Sequence, residues 1–143
     1  MEVNKEDIKR IRKAFYGIHS LVIDFCKKVN YNPNLLWLLF ALDDDKPKSQ
    51  KQICDEWHTT KTTLNTLVKQ CEKLDYVKLV PIEGQKKEKY IVLTQKGKEY
   101  ARNGLDGFYE TEKEALSLMK DYKSFINDIE IFYDKLNKTL NNK

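Results

Sequence analysis

Residues Ser49 to Thr94 read SQKQICDEWHTTKTTLNTLVKQCEKLDYVKLVPIEGQKKEKYIVLT. The stretch opens on Ser49, whose hydroxyl can accept from an orphan backbone N–H and so start a helix. Ile53, Cys54 and Trp57 then fall on one face. His58-Thr59-Thr60 breaks the pattern, and Thr60 is placed to cap a second helix. In that helix Leu64, Leu67, Val68 and Cys71 form one stripe. The opposite face carries Thr62, Thr66, Lys69, Gln70 and Lys73, with no acid before Glu72.

Two short helices joined by a three-residue break have the sequence form of a helix-turn-helix. An ordinary solvated amphipathic helix has the same periodicity, so the stripe alone does not decide. The residues after the second helix do. Tyr76 to Val80 and Lys89 to Leu93 are rich in β-formers, and Glu83-Gly84-Gln85 is a turn between them. The tip reads Lys86-Lys87-Glu88-Lys89. A basic hairpin directly after such a helix pair is a wing, able to lie along a nucleic-acid backbone or enter a minor groove.

The run resembles the winged helix-turn-helix of MarR-type transcriptional regulators. The matching residues are Ser49 to Ile53, Trp57 to Leu64, Leu67-Val68, Glu72 to Val77, and the junction Leu93-Thr94-Gln95-Lys96-Gly97. Three positions depart from the family pattern. His58 and Asp75 stand where the family has glycine, and both residue types tolerate a positive φ better than most. Gln85 and Lys87 stand where the wing often has Asp-x-Arg. The Lys-Glu-Lys wing is that of one branch of the family. Lysine is a point charge without arginine's planar fork, which favours general phosphate attraction over reading of groove shape. The resemblance implies a mainly α fold with a small β-hairpin wing, in a homodimer that binds pseudo-palindromic double-stranded DNA. It also implies a small aromatic effector, with Phe15, Tyr16, Trp37 and Phe40 as candidate wall residues; ordinary core aromatics would look the same.

Charge distribution points the same way. The net charge is +4, and from Asp45 to Arg102 there are thirteen Lys or Arg against eight Asp or Glu. The rest of the chain carries thirteen against fourteen, so all the net positive charge lies in the central region. Lys46, Lys48, Lys51, Lys86, Lys87 and Lys89 are expected to meet phosphates. Thr62, Thr63 and Thr66 are expected to read bases, with Gln50, Thr60, Lys61, Asn65 and Lys69 around them.

The flanks are helical. Ile8, Ile11, Phe15, Ile18, Val22, Phe25 and Val29 step by three and four along a helix from Glu6 to Val29. Asn32 can cap the next helix with Pro33 at its first position, and Leu35 to Leu42 is apolar enough to be buried on most sides. Asp43 to Pro47 reads as a solvated connector, whose three acids lack the spacing of a calcium loop. A helix from Thr94 to about Met119 is weakened by Gly104 and Gly107, which are expected to bend it, and the last, Tyr122 to Leu140, carries the seam Tyr122, Ile126, Ile129, Tyr133, Leu136 and Leu140. The expected organisation is one domain, 1–143, with a winged module at 33–94 and helical dimerisation regions at 1–31 and 95–143.

Other chemistries find little support. His19 and His58 are far apart, and no phosphate-cradling glycine loop, nucleophile elbow or ligand-spaced Cys/His cluster is present, so neither enzymatic activity nor a metal or cofactor is expected. Cys26, Cys54 and Cys71 are an odd count without metal spacing, hence free thiols. Cys26 is a candidate redox sensor if exposed, since Lys27 and Lys28 would lower its pKa. The polar N-terminus and the short uncharged stretch Asn30 to Leu42 predict a cytoplasmic protein without a membrane span. A winged helix used for protein contact stays open as a different class of function.

Overall fold

The structure, a computed structural model, describes residues 1–143 and contains six helices and one small antiparallel sheet. Helix α1 spans Lys5–Lys28, and Asn4 closes a reciprocal capping box with Asp7 at its start. Helix α2, Pro33–Leu42, begins as the sequence predicts: the Asn32 side chain accepts from the Asn34 N–H and Pro33 takes the first position. Strand β1 is Lys48–Ser49, α3 is Gln50–Trp57, α4 is Lys61–Lys73, β2 is Val77–Pro81 and β3 is Lys89–Leu93. Helices α5, Gln95–Ser117, and α6, Tyr122–Asn141, complete the chain. The fold is a winged helix-turn-helix flanked by long helices.

The sheet order is β1-β3-β2. The β2–β3 hairpin runs from Val77 opposite Leu93 to Pro81 opposite Lys89. Strand β1 has no counterpart among the expected elements. The end of the connector and the helix cap also pair with the wing, Lys48 opposite Ile91 and Ser49 opposite Tyr90. Two residues carry no alternation that could announce a strand; only the neighbouring β3 makes them one.

The chain forms two compact units, Met1–Asp106 and Gly107–Lys143. The core of the first is built on α2, whose Leu35, Leu36, Leu38, Leu39, Ala41 and Leu42 are all buried. Around them gather Ile53, Leu64, Val68, Cys71, Ile91, Ala101 and Leu105. Each buried Leu, Ile or Val side chain among them contributes about 1.5–3 kcal/mol on leaving water. In the second unit, Asp121 caps α6 by accepting from the Ser124 N–H, and no residue of α6 is buried.

Two glycines are required by close approach. The backbone of Gly97 lies against the carbonyl group of Tyr76, so a Cβ would overlap backbone atoms. Gly104 lies against the ring of Tyr31. That ring starts a column of three: Tyr31 stacks on Tyr100 at 4.5 Å between centroids, and Tyr100 stacks on Tyr76 at 4.2 Å. Gly104 is therefore a packing requirement of α5, which runs without a break from Gln95 to Ser117.

Candidate nucleic-acid interface

The helix pair is built by its caps. Ser49 accepts from the Gln52 N–H while the Gln52 side chain accepts from the Ser49 N–H, closing a capping box on α3. His58 ends α3 in the left-handed region, φ 52°, and its own N–H bonds the carbonyl of Cys54. Asp75 turns the chain the same way after α4, φ 61°, so both residues at the family's glycine positions adopt the backbone that glycine would. The apolar stripe of α3 stops one turn earlier than expected: Ile53 is buried and Cys54 half-buried, but Trp57 is exposed beside the turn.

Helix α4 presents its polar face as the sequence predicts. Leu64, Leu67, Val68 and Cys71 are buried, and Lys61, Thr62, Thr63, Thr66 and Lys69 are exposed. The hydroxyls are not equally free. Thr60 accepts from the Thr63 N–H, and its hydroxyl also bonds that of Thr63 at 3.0 Å. The Thr66 hydroxyl donates to the carbonyl of Thr62 at 3.1 Å. The Thr62 side chain is left free for a ligand. Gln50 and Asn65 hold each other, Nε2 to Oδ1 at 2.8 Å, and lock α3 to α4. Lys61 at the first position of α4 opposes the helix dipole, which favours anions there. A cation placed against local preference is understandable where a polyanion is to be met.

The wing continues this basic surface. Lys86, Lys87 and Lys89 are exposed, with the Gln85 N–H closing the turn onto the carbonyl of Ile82. Lys46 and Lys51 are also exposed. Lys48 is not available as expected. Its side chain is only 15% exposed, and its ammonium lies 3.1 Å from Asp44 and 3.5 Å from Glu56. Burial disfavours its charge, but those carboxylates outweigh burial and hold its pKa above the ordinary lysine value. Asp44 also accepts from the Lys46 N–H, and Asp45 pairs with Lys98 at 3.2 Å. The connector acids thus brace the chain between α2 and β1.

The junction after the wing has a mechanical explanation. The Thr94 hydroxyl donates to the carbonyl of Asp75 and accepts from the Gly97 N–H. One threonine thus caps α5 and ties it to the end of α4, and Gly97 permits the contact with Tyr76.

Among the remaining candidates, Phe15 and Tyr16 are exposed on α1, whereas Trp37 and Phe40 are half-buried on α2 and pack against the core. Cys26 is fully buried, and burial pushes its thiol pKa up. The exposed, lysine-activated thiol that a sensor at Cys26 needs is therefore not there. Burial likewise raises Cys54, and lifts Cys71 to about 11. No helix is long and apolar enough to cross a membrane.

Residues 31–88 match the sequence profile of the MarR family. No curated protein is detectably similar in sequence. Among solved structures, a MarR family regulator from Neisseria meningitidis shares 19% identity, with 99% of this chain and 100% of that one covered and a TM-score of 0.81. A putative MarR family transcriptional regulator from Listeria monocytogenes, solved with a 26mer DNA, shares 20% identity over 99% of this chain and 89% of that one, TM-score 0.64. MarR from Staphylococcus aureus, in complex with salicylate and kanamycin, shares 16% identity over 97% and 95%, TM-score 0.64. At these identities the likeness is one of fold.

Proposed function

We propose that this chain, whose residues 31–88 match the MarR family profile, is a winged-helix transcriptional regulator of that family and binds a pseudo-palindromic operator in double-stranded DNA as a cytoplasmic homodimer. The observation that carries the reading is the exposed Thr and Lys face of α4 continued by the three wing lysines. Helix α4 enters the major groove. Thr62, Thr63 and Thr66 meet base edges, while Gln50, Thr60, Lys61, Asn65 and Lys69 border them. Lys46, Lys51, Lys86, Lys87 and Lys89 neutralise phosphates. With on the order of eight such contacts per dimer, log affinity falls with log salt at a slope of about −7. The protein acts as a repressor. Release comes from a small aromatic ligand that favours a different separation of the two recognition helices, with a coupling of about 1–3 kcal/mol. Phe15, Tyr16, Trp37 and Phe40 are its proposed contacts. The DNA in the Listeria structure and the salicylate in the Staphylococcus one support the two kinds of ligand.

The test is fluorescence anisotropy at physiological salt, on the duplex just upstream of the protein's own gene and on a scrambled duplex. Binding at least ~10³-fold tighter to the first is the expected outcome. Equal weak binding to both would leave only lysine-driven attraction and overturn the reading.

A further inference from the structure

One side chain in the basic wing breaks the pattern of its neighbours. Lys86, Lys87 and Lys89 are exposed, but Glu88 between them is not. One of its carboxylate oxygens is buried without any hydrogen-bond donor from the protein, the one buried side-chain oxygen or nitrogen of the molecule left so. Leaving such an atom unsatisfied costs free energy, so its place calls for an explanation.

The surroundings supply one. Glu88 lines a cavity of about 240 Å³ with Gln50, Lys51 and Cys54 of α3 and Lys61 of α4. The wing carboxylate thus reaches back to the place where the two helices of the DNA-binding pair begin. Its charge and that of Lys61 act on the Cys54 thiol in opposite senses, Glu88 raising the pKa and Lys61 lowering it. No ion pair joins Lys51 or Lys61 to an acid within 4.0 Å. The carboxylate is near two lysines, buried in part, and bonded to neither. A fixed anion in such a cavity draws on the field of both cations without consuming them.

We propose that Glu88 is a built-in competitor for the DNA backbone: it shares the cavity of Lys51 and Lys61 in the free protein, and a phosphodiester that takes those lysines must displace it. The proposal rests on the DNA-binding function and adds a restraint to it. Glu88 holds the wing toward the helix pair when no DNA is present. On binding, the phosphate replaces one anion with another, and the wing is released to follow the backbone. Affinity is lower than the lysines alone would give. Fewer counterions are released, because part of the lysine charge is already balanced from within.

The experiment compares the wild type with Glu88→Gln, Glu83→Gln and Lys61→Gln and with the double variant Glu88→Gln/Lys61→Gln, by anisotropy on both duplexes across a salt series. Glu83 is exposed at the wing turn and serves as the control for removing one wing charge. Glu88→Gln is expected to bind both duplexes on the order of ten-fold tighter per dimer, with a salt slope steeper by about one per subunit. Glu83→Gln is expected to gain far less. In the Lys61→Gln background most of the Glu88→Gln gain should vanish, since the lysine competed for is gone. Equal gains for Glu88→Gln and Glu83→Gln would reduce the effect to net charge and overturn the proposal. So would weaker binding by Glu88→Gln, which would make Glu88 a support for the wing. If the wild type binds neither duplex, the DNA reading itself falls. If the wild type binds and the Glu88 effects are missing, only the competitor does.

Discussion

Single residues in this chain are constrained in ways that composition hides. Gly97 and Gly104 are weak helix formers, yet each is the point at which α5 meets a tyrosine from an earlier loop, Tyr76 and Tyr31. Alanine is the better helix former by up to ~1 kcal/mol. Against that gain, a methyl at Gly97 meets the rigid carbonyl of Tyr76, and overpacking of this kind costs about 1–3 kcal/mol or more. Gly97→Ala should therefore lower stability in urea by about 2 kcal/mol despite the better propensity; a neutral result would mean that the junction yields. Thr66 is a second case. With its hydroxyl turned back to the Thr62 carbonyl, the methyl is its free surface, suited to a thymine methyl in the major groove. Thr66→Val should then keep the operator's base preference, while Thr66→Ala should relax it at one position per half-site by about 1–3 kcal/mol. Binding to a panel of single-base operator variants separates the two. Loss of preference in both variants would assign the reading to the hydroxyl instead.

At the scale of elements, the caps and stripes were legible because they are local. Ser49, Thr60 and Asn32 announce helix starts by chemistry within three residues, and all three cap as expected. The stripe of α4 was legible because its four apolar residues share one face. Strand β1 was not, since a two-residue ladder exists only through its partner. The place of Lys48 was hidden for the same reason. Its lysine type suggests a phosphate contact, but Asp44 and Glu56 approach it only once the connector has folded onto α3. The half-buried Glu88 was hidden likewise, since a run of Lys-Lys-Glu-Lys reads as solvated in every residue. These placements separate two lysines by measurement. Lys48→Ala should cost stability, up to about 1 kcal/mol for its partly buried pairs, and leave the salt slope of DNA binding unchanged. Lys87→Ala, exposed on the wing, should leave stability unchanged and flatten the slope by about one per subunit. A flatter slope for Lys48→Ala would return that lysine to the interface.

At the scale of the whole molecule, the unfinished surface is apolar. Helix α1 exposes Ile8, Ile11, Phe15 and Ile18 of its seam and buries only Cys26. Helix α6 exposes Tyr122, Ile126, Tyr133 and Leu140 of its own and buries nothing. A stripe of that length on a 20-residue helix is larger than the scattered apolar residues of an ordinary surface. A second copy across a two-fold axis would cover both helices with identical stripes and set two recognition helices about one DNA turn apart, roughly 34 Å. Light scattering at micromolar concentration should accordingly give twice the 17.0 kDa of one chain. Replacing Ile126 by Glu should yield the single-chain mass, because a charge in the middle of a desolvated interface has no partner. The same variant should keep the fold of the winged module, whose core includes nothing from α6. It should still lose most of its operator affinity, since two half-sites then bind independently rather than as one linked unit. A wild-type protein with the mass of one chain would sink this architecture. Dimeric Ile126→Glu with unchanged operator affinity would instead move the interface to α1.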